Sequence, residues 1–390
     1  MIKASGARAD NTINSMKHVC FISSAFSRDD ALIVIRQGRS LVSSGFQVTY
    51  LLCDDLTDEV VNGINYVSTG RRAKNGIDRL INNPKRLKEK LKTINADIYQ
   101  VSSPETFRVG FWLKRQGKKV IFNLREWYPT YYSSHFNNKW ARRIVQTIIE
   151  MYLRYGFKKF DAVINCMLTK SDFIRNHYPC RLIEDVTNYP VVNHDFSLSY
   201  EEYSSRKPVI CYFGMIYPNS CQEEMLEALI DFPDVTYLLA GLFMYDSQKN
   251  TLMQKEAWKQ VSFINGFKRE ELPDILNQSV IANVVRDFSK TASPNGSLAV
   301  LKIFESMEAG LPVILPAVPL YESIMEKYNC GVCVRPHSVE DFKSAISYLL
   351  THKKEAYEMG QNGRRAVLQE FSWDSQYEKY LSVINKTIKI

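Results

Sequence analysis

Two charged residues one helical turn apart, Lys302 and Glu305, are the part of this sequence best suited to chemistry. They follow the run Ser-Pro-Asn-Gly-Ser at 293–297, which favours a turn. A helix that begins after such a loop presents unpaired N–H groups and a partial positive charge, which suit an anion such as a diphosphate. A carboxylate one turn inside that helix could accept hydrogen bonds from ribose hydroxyls.

The elements that would position these two residues are a loop, a helix and a strand in immediate succession. Leu301, Phe304 and Met307 recur at helical spacing. Gly310 is a typical helix stop, and the apolar residues 313–315 predict a short buried strand after it. The sequence therefore predicts a helix whose start faces the loop and whose end leads into a parallel sheet.

A second group of polar residues lies where strands of the first half are expected to end. Ser102 and Ser103 follow the predicted strand 97–101, and Arg125 and Glu126 follow an apolar segment further along. Open α/β sheets bind ligands at the carboxyl ends of their strands, so these side chains could hydrogen-bond a sugar. The alternative is that Arg125 and Glu126 form a local structural ion pair.

The segment FESMEAGLPVI, from Phe304 to Ile314, resembles the FEAMA-GLPVI segment of the family 4 (group 1) glycosyltransferases. The resemblance extends from about Met16 to Ile390 and includes SLVSSG at 40–45 and VSFINGF at 261–267. It implies the α/β fold named GT-B, in which two Rossmann-like domains face a cleft. In that fold the C-terminal helix crosses back to the first domain.

The resemblance also implies that the second domain binds a nucleotide-sugar donor. Glu305 would bind the ribose, the backbone N–H groups at 299–301 and Lys302 would hold the diphosphate, and Phe267 would flank the base. The donor-binding residues that we expect are Gly214, Asn219, Phe267, Ser297, Ala299, Val300, Leu301, Lys302 and Glu305. Two of these positions depart from the family pattern. Ser297 lies where many members have a glutamate and Asn219 where an arginine is usual, so Lys302 could replace a missing charge.

In the first domain the family pattern assigns the sugar contacts to Ser102, Arg125 and Glu126. The family often has His and Asp where Ser102 and Ser103 stand. It often has Asp-x-His-Glu at 123–126, where only Glu126 matches. We therefore take Glu126, Arg125 and Ser102 as the candidate catalytic residues.

The reaction that the resemblance implies is transfer of a sugar to an acceptor hydroxyl with retention of the anomeric configuration. The departing diphosphate would help to take the acceptor proton. Helix dipoles and basic residues would stabilise the leaving group, so we expect no metal and no cofactor. Cys330 and Cys333 form a lone CxxC, which we interpret as part of a strand edge.

Two other functions compete with this one. Several polar positions of the family pattern are replaced at once, which would suit a catalytically silent relative that binds a glycan or a partner transferase. A sugar-nucleotide epimerase with the same two-domain shape is a third hypothesis, although the sequence contains no motif that is specific to it.

Composition and charge place further bounds on the function. The chain has 390 residues with 45% hydrophobic and 24% charged residues, as in ordinary globular proteins, and its length favours two domains. Eight scattered cysteines favour a reducing, cytoplasmic compartment. No apolar run approaches the length of a transmembrane helix.

The charge is unevenly divided along the chain. Residues 1–200 carry 30 Lys and Arg against 18 Asp and Glu, whereas the remainder carries 20 against 24. The basic first half could face an anionic lipid-linked or glycan acceptor, or the inner face of an acidic membrane, or it could simply be solvated. The basic helix predicted at 140–159 could either lie on a membrane or pack on the sheet. We expect no nucleic-acid partner.

The predicted organisation has five parts. Residues 1–15 are a disordered extension, 16–187 the acceptor domain, 188–207 a linker, 208–372 the donor domain and 373–390 the crossover helix. The strand Val209–Phe213 would open the donor domain.

Overall fold

The computed structural model describes residues 16–192, 196–291 and 293–390. The predicted extension at 1–15 and a small part of the predicted linker, residues 193–195, lie outside them. The chain divides into two compact units. The first comprises the described residues up to Cys166 together with Phe173–Val186 and Lys379–Ile390, and the second comprises Met167–Asp172 and Thr187–Glu378.

The first unit is built on an eight-stranded sheet in the order β3-β4-β2-β1-β5-β6-β7-β8. All neighbouring pairs are parallel except β3 and β4. The central strands are continuous apolar runs that are almost completely buried, as expected when helices cover both faces of a sheet. The strands are β1 (His18–Ser23), β2 (Gln47–Leu52), β3 (Glu59–Val61), β4 (Ile64–Ser68), β5 (Ile98–Val101), β6 (Lys119–Leu124), β7 (Ala162–Asn165) and β8 (Ile183–Asp185).

Seven α-helices accompany these strands in the described part of this unit and its borders. They are α1 (Arg39–Ser43), α2 (Gly76–Ile81), α3 (Asn83–Leu91), α4 (Phe107–Arg115), α5 (Tyr128–Ser133), α6 (Lys139–Lys159) and α7 (Ser171–His177). A π-helix at Ala31–Gly38 precedes α1, and 3₁₀ turns occur at Pro104–Thr106 and Leu168–Lys170. The Asp30 carboxylate caps the π-helix by accepting hydrogen bonds from the N–H groups of Leu32 and Ile33.

The second unit contains a six-stranded sheet in the order β11-β10-β9-β12-β13-β14, in which every pair is parallel. Its strands are β9 (Val209–Phe213), β10 (Thr236–Gly241), β11 (Val261–Asn265), β12 (Ile281–Asn283), β13 (Val313–Pro316) and β14 (Gly331–Val334). The two units therefore confirm the predicted α/β class with two parallel sheets. The predicted strand edge at Cys330 and Cys333 is also confirmed, because β14 lies at the end of the strand order.

The helices of the second unit pack around this sheet. They are α8 (Tyr200–Ser205), α9 (Gln222–Leu229), α10 (Asp246–Met253), α11 (Leu272–Asn277), α12 (Leu301–Glu308), α13 (Pro319–Tyr328), α14 (Val339–Thr351) and α15 (Lys353–Gln369), with 3₁₀ turns at Glu256–Gln260 and Arg269–Glu271. Helix α8 lies inside the segment that we predicted to be a linker. It is held there by Tyr203, which is 2% exposed and donates a hydrogen bond to the carbonyl oxygen of Val280 at 3.0 Å.

Helix α12 is anchored by its apolar face. Ile303, Phe304 and Met307 are fully buried, and the Phe304 ring packs on Tyr189 and Phe371 with centroid separations of 5.0 Å each. Burial of such a ring contributes about 2 kcal/mol through the hydrophobic effect. The polar residues at the start of α12 are therefore carried by a rigid element.

Helix α15 approaches the end of α12 so closely that only glycine fits. A Cβ on Gly360 would overlap the carbonyl oxygen of Gly310 and lie 2.7 Å from its carbonyl carbon. We expect Gly360→Ala to lower the free energy of unfolding of this unit by about 2–4 kcal/mol, because backbone atoms must move. Gly76→Ala is the matched control, since a Cβ there meets no atom within 4 Å. Urea unfolding of both variants measures the difference, and equal stabilities would contradict this account of the packing.

The C-terminal helix α16 (Trp373–Lys389) ends in the first unit, as predicted, because Lys379–Ile390 belong to that unit. Tyr380 is fully buried, and its hydroxyl lies 3.0 Å from Gln100 Oε1 on β5. Gln100 in turn donates to Gln37 Oε1 at 2.8 Å, and Asn123 donates to the same oxygen at 3.3 Å. The helix is thus tied to the sheet by a buried polar network.

Within the described residues, none of the helices combines the length and the apolar character that crossing a membrane requires.

Candidate functional site

The start of α12 is open to a ligand. No described side chain caps the helix, and the preceding residue, Val300, has the non-helical angles φ −82° and ψ 83°. The Ser297 hydroxyl accepts a hydrogen bond from the N–H of Ala299 at 3.2 Å. Uncapped N–H groups at a helix start attract anions. Of the residues predicted at 299–301, Leu301 is the first of α12, Val300 directly precedes it, and the N–H of Ala299 is already bonded to Ser297.

The ammonium group of Lys302, the second residue of α12, is held by β9 and the loop that follows it. Its Nζ lies 4.0 Å from the centroid of the Tyr212 ring and 3.5 Å from the carbonyl oxygen of Met215. Burial of the side chain lowers the pKa of Lys302 to about 7, Glu305 opposes this shift, and Arg286 adds to it. A lysine with such a pKa gains its charge most readily when an anion binds beside it.

Two glycines let the loop approach this closely. Gly214 has φ +87°, and a Cβ on it would lie 3.6 Å from Lys302 Nζ. Gly241, at the end of β10, has φ +158°, and a Cβ on it would overlap the carbonyl oxygen of Gly214. A side chain at Gly241 would displace the loop that contains Gly214, and the positive φ of Gly214 favours glycine, so both glycines define the shape of the site.

The carboxylate of Glu305 lies one turn further along the same helix. The residue is 5% exposed, and its Oε1 is 2.6 Å from Arg269 Nη1. That contact lacks hydrogen-bond geometry, and the buried oxygen has no other hydrogen-bond partner within the described residues. The oxygen is therefore held by the ion pair alone, and a ligand hydroxyl could donate a hydrogen bond to it if Arg269 moved away.

Arg286 is a second cation near the lysine that the sequence did not single out. Its guanidinium group lies 4.5 Å from the centroid of the Tyr217 ring and 5.7 Å from that of Phe288. Its positive charge adds to the lowering of the pKa of Lys302. The available signal was its position shortly after β12, where parallel strands place ligand-binding residues.

Asn219 has a structural use in this arrangement. Its Nδ2 donates to the carbonyl oxygen of Asp287 at 2.7 Å, and the N–H of Asp287 donates back to the carbonyl oxygen of Asn219 at 2.7 Å. The pair joins the loop after β9 to the loop that carries Arg286. Phe267 is half-buried and packs against the core of this unit beside β11.

One group of described residues in this unit could offer ligands to a metal. Donor atoms of Cys221, Glu224 and His337 all lie within 4.8 Å of one another. However, His337 Nδ1 is already hydrogen-bonded to Glu224, and burial raises the pKa of the Cys221 thiol to about 12. A protonated thiol is a poor metal ligand, so this group carries no metal assignment.

The three candidates of the first unit are not equivalent. Ser102 is 1% exposed, and its carbonyl oxygen accepts a hydrogen bond from the Tyr128 hydroxyl at 2.6 Å. Glu126 is exposed. Arg125 forms an ion pair with Asp30 at 2.9 Å and lies 4.0 Å from the centroid of the Phe26 ring, so the alternative of a local pair with Glu126 is wrong.

A cavity of about 550 Å³ opens near Arg125, at the carboxyl ends of β1, β2 and β4. Its walls include Phe26, Arg28, Asp54, Tyr66 and Arg79. The Arg28 guanidinium is held by Asp54 at 2.7 Å and by Glu59 at 2.5 Å. A rigid, partly charged cavity of this size could admit a sugar-sized group.

Comparison with solved structures defines the class of fold. The Anabaena protein HepE in complex with UDP and glucose is 14% identical to this chain, with a TM-score of 0.69 over 95% of this chain and 100% of that one. WaaG, a glycosyltransferase involved in lipopolysaccharide biosynthesis, is 15% identical, with a TM-score of 0.66 over 94% and 99%. At such identities the likeness shows the fold, which is GT-B.

Sequence comparison then relates part of the second unit to a protein family. Residues 200–366, which include β9, Lys302 and Glu305, match the family model described as glycosyl transferases group 1. The match covers residues 200–366 of the 390 and so assigns this part of the second unit to the group 1 glycosyltransferases. The MMP α-(1→4)-mannosyltransferase of Mycolicibacterium hassiacum is 26% identical over 125 residues. That alignment covers 32% of this chain and 28% of the length of that relative.

Proposed function

We propose that this protein transfers a sugar from a nucleotide-sugar donor to a hydroxyl group of a glycan or lipid-linked acceptor. The observation that carries the proposal is the combination on α12: an uncapped helix start, the Lys302 ammonium group beside it and the buried Glu305 one turn later. This combination offers one site for a diphosphate and a neighbouring acceptor for ribose hydroxyls. HepE, which has a similar fold, has been solved in complex with UDP and glucose, and this agrees with such a donor.

The diphosphate is proposed to bind at the N–H groups of residues 299–301, with Lys302 and Arg286 supplying positive charge. Asn219 is hydrogen-bonded to Asp287 and carries no charge. We propose that Lys302 and Arg286 supply the positive charge that the family has at the position of Asn219. Two cations and a helix start can stabilise a leaving diphosphate, and we therefore propose that transfer needs no metal.

The remaining donor contacts are proposed as follows. Glu305 accepts hydrogen bonds from the ribose, for which Arg269 must give up its close contact with the carboxylate. Phe267 and the backbone around it flank the base. Gly214 leaves room for the phosphates between its loop and Lys302, since no side chain fills that space.

The proposed chemistry is displacement with retention of the anomeric configuration. The bond between the anomeric carbon and the phosphate oxygen breaks, and the acceptor oxygen forms its bond on the same face of the sugar. The acceptor proton passes to an oxygen of the departing diphosphate, while Lys302 and Arg286 neutralise the charge that develops there.

The acceptor is proposed to enter from the first unit, through the cavity beside Arg28 and Arg79. Glu126, which is exposed, would meet sugar hydroxyls directly. Arg125 and the buried Ser102 would act by positioning the strand-end loops. We further propose a cytoplasmic enzyme of surface polysaccharide or glycoconjugate synthesis, in peripheral contact with an anionic membrane through its basic N-terminal unit.

A catalytically silent relative is the second candidate, and one observation favours it. Asn123 lies where the family often has an aspartate, and here its side chain is buried in the network with Gln37 and Gln100. A silent protein would bind a nucleotide or a glycan without turnover.

A donor panel tests the proposal. The protein is incubated in EDTA with UDP-, GDP-, ADP- and dTDP-sugars and a hydroxyl acceptor, and NMR follows the anomeric proton. We expect at least one donor to raise the melting temperature and to give a product with the donor's own anomeric configuration. Nucleotide binding without turnover for any donor would favour the silent relative, and a failure of every nucleotide to bind would overturn the proposed site.

A further inference from the structure

Helix α6 of the first unit exposes a continuous row of apolar side chains. Trp140, Ile144, Ile148, Met151 and Tyr155 are 77%, 58%, 58%, 66% and 51% exposed. Their spacing of three or four residues places them on one side of the helix. We call these five residues the apolar stripe.

The apolar stripe lies away from the buried side of α6 except at Tyr155, whose ring packs on Phe111 with a centroid separation of 5.0 Å. The fully buried residues of the helix are Leu153, Gly156 and Phe157, all in its C-terminal third. The stripe begins at the second residue of the helix and extends to Tyr155, which is about 22 Å at 1.5 Å per residue. Ala141, Val145, Ile149 and Tyr152 on an adjacent side are half-buried, so α6 packs along that side and leaves most of the stripe exposed.

The charges around the stripe have one sign. Helix α6 contains six basic residues and a single acid, Glu150. The basic residues, all exposed, are Lys139, Arg142, Arg143, Arg154, Lys158 and Lys159. Two copies of this helix laid face to face would bring like charges together, whereas an anionic surface would complement them.

A second exposed apolar turn occurs in the same unit. Ile77, Leu80 and Ile81 of α2 are 71%, 50% and 47% exposed, and the basic helix α3 follows them. Arg79 Nη2 lies 3.4 Å from Glu105 Oε1 in the 3₁₀ turn before α4. Exposed apolar groups of this size within one basic unit mark an interaction surface.

We propose that the apolar stripe of α6 inserts into the headgroup region of an anionic lipid bilayer, with its basic residues contacting lipid phosphates. A helix with aromatic and aliphatic groups on one side and Lys and Arg around them is suited to lie in the plane of such an interface. This names the surface for the peripheral contact proposed above. It depends on none of the donor-site residues, so it can fail or succeed separately from the transferase proposal.

Vesicle flotation with the full chain tests the proposal. The vesicles contain phosphatidylcholine and phosphatidylglycerol in a three-to-one ratio, with pure phosphatidylcholine as the neutral comparison. We expect binding to the anionic vesicles alone, weakened by salt, and a loss of about tenfold or more in Trp140→Ser/Ile144→Ser/Ile148→Ser. The matched control is Met253→Ser/Leu368→Ser, which removes apolar side chains of 48% and 49% exposure from the other unit.

Tryptophan fluorescence supplies a second readout that does not depend on bulk binding. Of the five tryptophans, Trp140 is the one that is mostly exposed, so its emission is expected to shift to the blue on binding to anionic vesicles. Trp140→Ser should abolish the shift. Retained vesicle binding in the triple variant would overturn the proposal. So would a wild-type dimer that the triple variant converts to a monomer in sedimentation velocity, because a second copy would then be the occupant.

Discussion

Lys302→Ala is expected to lower kcat/KM for the nucleotide-sugar donor by about 100-fold or more, since it removes the charge that we propose to lie beside the leaving diphosphate. The lysine is positioned for this by Tyr212, Met215 and the glycine at 214. Steady-state kinetics with the donor found in the panel measures the loss. Lys290→Ala, an exposed lysine in the nearby loop, is the matched control and should leave kcat/KM unchanged.

The pH dependence of donor binding is a further readout of the same lysine. Burial lowers the pKa of Lys302 to about 7, so the free protein loses this charge as the pH rises above 7. Because a diphosphate favours the charged form, binding above pH 7 should take up a proton, and affinity should fall as the pH increases. A Lys302→Arg variant, which keeps its charge, should not show this fall. Equal donor affinity in Lys302→Ala and the wild type would remove the lysine from the site.

Glu305→Gln is expected to weaken nucleoside diphosphate binding by about 10- to 100-fold, the usual worth of hydrogen bonds to a buried charged group. The reason is that the buried carboxylate has no hydrogen bond at Oε1, which only the ion pair with Arg269 holds, one turn inside the helix. Isothermal titration of the wild type and the variant with a nucleoside diphosphate measures the change.

A comparison of ligands makes this test specific for the ribose. The wild type should bind the ribonucleotide more tightly than its 2′,3′-dideoxy form, and Glu305→Gln should lose most of that preference. Glu270→Ala, next to Arg269 but on the exposed side of its turn, serves as the control. If the variant weakens both ligands equally, Glu305 supports the helix rather than the ribose.

Local patterns predicted those parts of the fold that depend on neighbours in sequence. The strand Val209–Phe213 agrees with its prediction, and β13 extends the predicted 313–315 by one residue, because both are uninterrupted apolar runs. Helix α8 was missed because its single apolar anchor, Tyr203, finds its hydrogen-bond partner 77 residues further along the chain. No local periodicity contains that information.

The candidate site likewise contains residues that the sequence could predict and residues that it could not. Lys302 and Glu305 could be paired from the sequence because one helix carries both. Arg269 and Arg286 could not be assigned to the site, since each lies on a separate segment outside the helix, at no fixed spacing from Lys302 or Glu305 that a sequence pattern could reveal. Arg125 pairs with Asp30, 95 residues earlier, and the alternative interpretation of an ion pair with the neighbouring Glu126 was wrong.

The buried hydroxyl of Tyr380 has a consequence for folding during synthesis on the ribosome. Gln37 and Gln100 are translated early, yet the group that completes their network lies 280 residues beyond Gln100. Until it has been translated, an amide oxygen in the interior of the first unit has one partner too few. Completion of this network must therefore wait for α16, although the two glutamines leave the ribosome long before it.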